Sequence, residues 1–269
     1  MRGKSSVRFV QVASVFSLAV TLIINCLSTT MPLNGRTAGQ IANRFNNLLI
    51  PESMIFTIWA LIYSLLLIYA VYVQMRLHRL PPAEQQPLVI QGWLFTASGF
   101  LNSIWIFAWH YFQLRLSMGI MLTLLVVLIM LYADIPVDLP LRERWLRRLP
   151  FSVYTAWVSF CCSVNAAAFL AGTGWRGGAL GQEFWTLMIL AGLVLLGWLA
   201  LLRRHDLGFA LTIAWGIAGI LVHHLTVLRQ AYPMIISGAI AALVLLAIGM
   251  IWLLVRQILA WPHQAASKT

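Results

Sequence analysis

The sequence predicts an all-α, polytopic membrane bundle of eight transmembrane helices, with both termini in the cytoplasm. Three observations predict it. Charged residues make up only 9% of the chain and hydrophobic ones 61%, whereas a soluble domain carries about 25% charged residues. Eight stretches of membrane-spanning length contain no Asp, Glu, Lys or Arg. The basic residues fall in short clusters between those stretches, the distribution that orients helices in a bilayer.

The first stretch, 9–27, has a basic start and a long apolar core. Asn25-Cys26-Leu27 is a poor small-residue cleavage site, so this stretch reads as a retained helix and not a signal peptide. The second, 54–75, is followed by the breaker His78-Arg79-Leu80-Pro81-Pro82. Little more than Arg115 divides the third, 92–112, from the fourth, 116–133. Asp134 to Arg148 leads to the fifth, 150–171, and Gly172-Thr173-Gly174 with Gly177-Gly178 follows it. The sixth, 184–202, and the seventh, 207–228, flank the tight turn Arg203-Arg204-His205-Asp206, and the eighth covers 232–255. About 20 apolar residues cross the hydrocarbon core as a helix. Lipid obliges the backbone to satisfy its own hydrogen bonds, which excludes open strands.

Alternating the spans sorts the 18 Lys and Arg residues to two sides. One side holds Arg2, Lys4, Arg8, Arg76, Arg79, Arg142, Arg144, Arg147, Arg148, Arg203, Arg204, Arg256 and Lys268. The other holds only Arg36, Arg44, Arg115, Arg176 and Arg229. The positive-inside rule then places both termini in the cytoplasm. The net charge of +11 is therefore an orientation signal and not a nucleic-acid face. The lipid bilayer is the expected partner. Cys26, Cys161 and Cys162 lie in apolar stretches without metal-ligand spacing, so neither a disulfide framework nor a zinc site is expected.

Three spans carry aromatic stripes. Phe56, Trp59 and Tyr63 fall within about 60° of helical arc. Asn102, Trp105, Trp109 and Phe112 share one face of the third span, and Tyr154, Trp157, Cys161 and Asn165 one face of the fifth. An amide in lipid needs a partner, so Asn102 and Asn165 should face other helices or a cavity. Aromatic walls with a few polar groups suit a flat apolar ligand, but spacing alone reads more readily as helix packing.

These residues carry a family resemblance. Pro51, Trp59 and Tyr63 in PESMIFTIWALIY, then Leu101-Asn102 with Trp105, then Tyr154, Trp157, Phe160 and Asn165 resemble the second-, third- and fifth-helix motifs of the translocator protein family. Its bacterial members are the tryptophan-rich sensory proteins. The resemblance implies a five-helix bundle over residues 1–175, with a pocket near the first loop, 28–53. It implies a porphyrin, haem or sterol ligand without a required cofactor. By position, Trp59, Tyr63, Asn102, Trp105, Trp157 and Asn165 would line the site, with Cys161 against the ligand. It further implies a bacterial inner membrane and favours a homodimer. Phe56-Thr57 stands where the family has a Gly-Pro kink, and no Tyr followed by Lys or Arg closes the fifth span. Porphyrin is therefore the better expectation than sterol.

Residues 176–269 add three helices to the family's five. In them, His223-His224 reads as hydrogen bonding and not ligation, because adjacent helical residues point about 100° apart. Ala214, Gly216, Ala218 and Gly219 form a small-residue face for close packing. No Asp or Glu lies inside a span, and neither a catalytic set nor a metal motif is present, so no enzyme activity is expected. A ligand-binding sensor or translocator leads, with an eight-helix small-molecule transporter and a scaffold for a partner protein as alternatives.

Overall fold

Long helices dominate the architecture. The computed structural model describes residues 2–31, 33–77 and 79–266; His78 and Lys268 lie outside them. Among the described residues there is no strand, and eight helices reach 20 residues or more. They are α1 (Arg2–Thr30), α2 (Ile58–Leu77), α3 (Pro82–His110), α4 (Leu114–Asp134), α5 (Leu149–Gly172), α6 (Gly181–Arg204), α7 (Leu207–Thr226) and α8 (Pro233–Ala266). Seven are long and apolar enough to cross a membrane. The exception, α3, is diluted by Gln85, Gln86, Gln91 and Asn102.

The helix ends follow local chemistry. Phe112 takes a left-handed turn (φ 58°) after α3, and Arg115 lies in the first turn of α4. The same turn removes Phe112 from the helical face assigned to it with Asn102, Trp105 and Trp109. Instead of a Gly-Pro kink, a 3-10 turn at Ser53–Thr57 runs directly into α2. A π-helical turn at Arg144–Arg148 precedes α5 and leaves Arg147 and Arg148 buried. Asp206 caps α7 by accepting from the Phe209 amide at 3.1 Å.

Helices α1 to α5 close a ring in the spatial order α1, α2, α5, α4, α3 and back to α1. Helices α6, α7 and α8 pack on one another as a triangle, and α7 makes the main contact to the ring through α5. One hydrophobic core runs through both groups. Helix α5 is its pillar: Phe151, Tyr154, Trp157 and Phe160 are almost wholly buried. A helix apolar all round belongs in such a position.

The α1–α3 seam is polar and close. Ser14 donates to the Gly92 carbonyl at 3.1 Å, Ser17 to Thr96 at 2.8 Å and Thr21 to Gly99 at 2.9 Å. A Cβ on Gly99 would collide with Ser17 Oγ. Between apolar helices in lipid, small residues and hydroxyl bonds supply the attraction. Gly99→Leu should therefore force α1 from α3 and cost about 1–3 kcal/mol by overpacking. Unfolding in detergent measures it, and a stability equal to the parent's would show that the seam contributes little.

Candidate ligand site

The aromatic stripes converge beneath the first loop. Trp59 is the centre. Its ring stacks on Tyr63 at 5.4 Å between centroids and lies 6.3 Å from Trp105, 6.0 Å from Tyr154 and 6.2 Å from Trp157. Phe56 meets Trp157 edge-on at 5.9 Å. Trp59 and Tyr63 are half-buried, whereas Trp105, Tyr154 and Trp157 are buried. Three helices thus contribute one continuous group of rings at contact distance.

Asn102 supplies the polar point. Its Oδ1 accepts from Asn25 Nδ2 at 3.0 Å and from the Tyr63 hydroxyl at 3.3 Å. Cys161 is a buried free thiol one turn beyond Trp157 on α5. Asn165 stands apart. It is two turns beyond Trp157 on α5, about 12 Å along the axis, and its Nδ2 donates to Ser117 of α4 at 2.8 Å. Six of the seven residues singled out from the sequence are therefore gathered, and the seventh is turned to another helix.

One contributor escaped the sequence reading: Asn25 of α1, an amide in an apolar stretch, the same signal that drew attention to Asn102. The first loop, expected near the pocket, lies against the end of α3. Trp109 Nε1 donates to the Ala38 carbonyl at 3.2 Å, and Asn34 donates to the His110 carbonyl at 2.9 Å. Phe45 packs on Trp109 and Phe112. A short helix, Ala38–Ala42, is held by a reciprocal Thr37–Gln40 cap. The loop thereby lies as a lid over the end of the ring.

Helix α7 fastens this lid. Glu52 N donates to the Gly219 carbonyl at 2.9 Å, Trp215 Nε1 to the Ile55 carbonyl at 3.0 Å, and His224 Nε2 lies 3.0 Å from the Leu48 carbonyl. His223 Nδ1 is 3.7 Å from the Glu52 carboxylate. The histidine pair thus faces the loop. The small-residue face of α7 receives Phe160 at Gly216 and Ile55 at Gly219.

Among the described residues, Asn102 Nδ2, Trp105 Nε1 and Trp157 Nε1 are buried donors that find no hydrogen-bond partner. An unsatisfied buried donor costs about 1–3 kcal/mol. Three of them beside one aromatic group suit a guest that brings acceptors. At the opposite end of the bundle, Tyr72 is buried and Arg76 pairs with Glu143, so both side chains are held within the protein.

Against known proteins, a family model described as TSPO-like protein matches residues 11–252. The match continues past residue 175, where the expected five-helix bundle ends, through α6 and α7 into α8. No curated protein and no solved structure matches the chain.

Proposed function

We propose, from the premise that this chain belongs to the TSPO-like protein family, that it is a membrane sensor or translocator for a flat apolar ligand bearing hydrogen-bond acceptors. A porphyrin has both properties. The observation that carries this reading is a set of three buried donors that find no partner among the described residues: Trp105 Nε1 and Trp157 Nε1 on rings packed around Trp59, and Nδ2 of Asn102, whose Oδ1 accepts from Tyr63. Packing alone leaves those donors unsatisfied, whereas a carboxylate- or carbonyl-bearing guest pairs them. The rings touch one another, so a guest enters by displacing the half-buried Trp59 and Tyr63 while the lid lifts.

In this reading all eight helices span the membrane, α3 included. Residues 1–175 form the ligand-binding ring and 176–269 its three-helix extension. Both termini are cytoplasmic, in a bacterial inner membrane. The group formed by Trp59, Tyr63, Asn102, Trp105, Trp157 and Cys161 is the ligand site, and Asn165 supports α5 against α4. No cofactor and no catalytic step are assigned. A homodimer is compatible with the ring surfaces that α6 to α8 leave uncovered.

Titration of the detergent-solubilised protein with protoporphyrin, followed by tryptophan fluorescence, tests this. Saturable quenching is expected. Trp59→Ala and Trp157→Ala should each weaken binding about tenfold, a loss of roughly 1.4 kcal/mol of ring contact. Equal binding by the parent and both variants would remove the site. A second reading, an eight-helix transporter, draws on the α7–lid contacts, which join the extension to the entrance. It requires porphyrin flux into reconstituted vesicles, and binding without flux would leave a sensor.

A further inference from the structure

We propose that the cleft between α5, α6 and the first loop is a phospholipid site, taking one acyl chain with its phosphate at Arg176. This site is separate from the aromatic group and does not depend on its ligand. The cleft is open on one side and holds about 100 Å³, room for a short stretch of an acyl chain, lined by Ala166, Ala167 and Leu170 of α5, Trp185 and Ile189 of α6, and Leu48 of the loop. The alanines make its floor, where larger side chains would fill it.

The cleft wall is largely apolar, with Gln182 at its edge, and the polar groups of Asn47, Thr186 and Trp185 on it are paired within the protein. Asn47 donates to the Phe45 carbonyl at 2.7 Å and accepts from Leu49 N at 3.0 Å. Thr186 donates to the Gln182 carbonyl at 2.8 Å, and Trp185 Nε1 to the Gly177 carbonyl at 3.1 Å. A buried water needs about two to four polar partners, and an apolar cavity takes an apolar guest instead.

The rim selects the class of guest. Trp175 and Trp185 stand 6.0 Å apart between ring centroids, both partly exposed, and Trp favours the membrane–water boundary. Beside them the exposed Arg176 bonds to the Asn46 carbonyl at 3.1 Å through Nη1, one donor of a five-donor guanidinium. A fixed positive charge at headgroup level, next to an apolar slot that opens among membrane helices, complements a phosphate and its chain.

The test uses the full chain, stripped of lipid in detergent and titrated with phosphatidylglycerol, with bound lipid counted by native mass spectrometry. A single tightly held lipid is expected. Ala167→Leu, which fills the slot, and Arg176→Gln should each weaken it about tenfold. Glycerol phosphate, which has the headgroup charge without a chain, should not compete. If Ala167→Leu misfolds, bromine-labelled acyl chains decide: they should quench the parent protein at one lipid per chain, and Trp185→Phe should lose that fraction. Equal lipid retention by parent and Arg176→Gln, effective competition by glycerol phosphate, or quenching unaffected by Trp185→Phe would each overturn the assignment.

Discussion

Asp206→Ala should lower the unfolding free energy by about 3–5 kcal/mol, the cost of removing one partner from a buried ion pair. Asp206 and Arg148 are both only 6% exposed, and their Oδ2 and Nε atoms are 3.4 Å apart. The carboxylate also accepts from the Tyr132 hydroxyl of α4 and the Ser152 hydroxyl of α5, each at 2.7 Å, and from the Phe209 amide of α7 at 3.1 Å. One side chain therefore joins three helices across the junction between the ring and the extension. Without it, the Arg148 guanidinium keeps, among the described residues, the carbonyls of Val137 and Arg204. Asp206→Asn retains an acceptor for the cap and should lose less than the Ala variant. Denaturation in detergent, followed by circular dichroism, orders the three proteins. Equal midpoints would mean that the network does not hold the two groups together.

Gly219→Leu should release the lid. A Cβ at Gly219 would meet Ile55 Cγ2 at 2.5 Å and Cδ1 at 2.9 Å, and the same residue's carbonyl accepts from Glu52 N. The substitution drives α7 from the 52–57 segment and strains the neighbouring Trp215 and His224 contacts with it. Overpacking of this kind costs about 1–3 kcal/mol. The loop carries exposed Arg36 and Arg44, so trypsin reports on its opening. When opening is fast relative to cleavage, the rate follows the open population, rising about tenfold for each 1.4 kcal/mol lost. Gly119→Ala and Gly192→Ala, where nothing lies within 4 Å, are the controls. They should leave cleavage unchanged and can gain up to about 1 kcal/mol from lower backbone entropy. Cleavage of Gly219→Leu at the parent rate would show that the lid is held from elsewhere.

The eight helical segments were legible because uncharged length is a property of the local sequence and lipid admits few alternatives to a helix. Their ends were less so. Helix α3 starts at Pro82 and α8 runs to Ala266, well outside the uncharged stretches at 92–112 and 232–255. Helical hydrogen bonding continues into polar sequence wherever nothing breaks it. The turn after α3 was expected two residues late, because the breaker is a backbone conformation at Phe112 and not a charged or glycine residue. Most of the site could be read in the same way: periodicity put Trp59 with Tyr63, Trp105 with Asn102, and Trp157 with Cys161 on shared faces.

By itself, then, the sequence determined which segments are helical, which end carries the basic residues, and which aromatic and amide side chains share a helix face. Only the tertiary structure decided what each face meets. Asn165 turned to Ser117, Asn25 crossed from α1 to Asn102, and the glycines of α7 received Ile55 and Phe160. Periodicity specifies the angle between residues on one helix but not the rotation of that helix against its neighbours. That rotation is set by the simultaneous packing of side chains far apart in the chain.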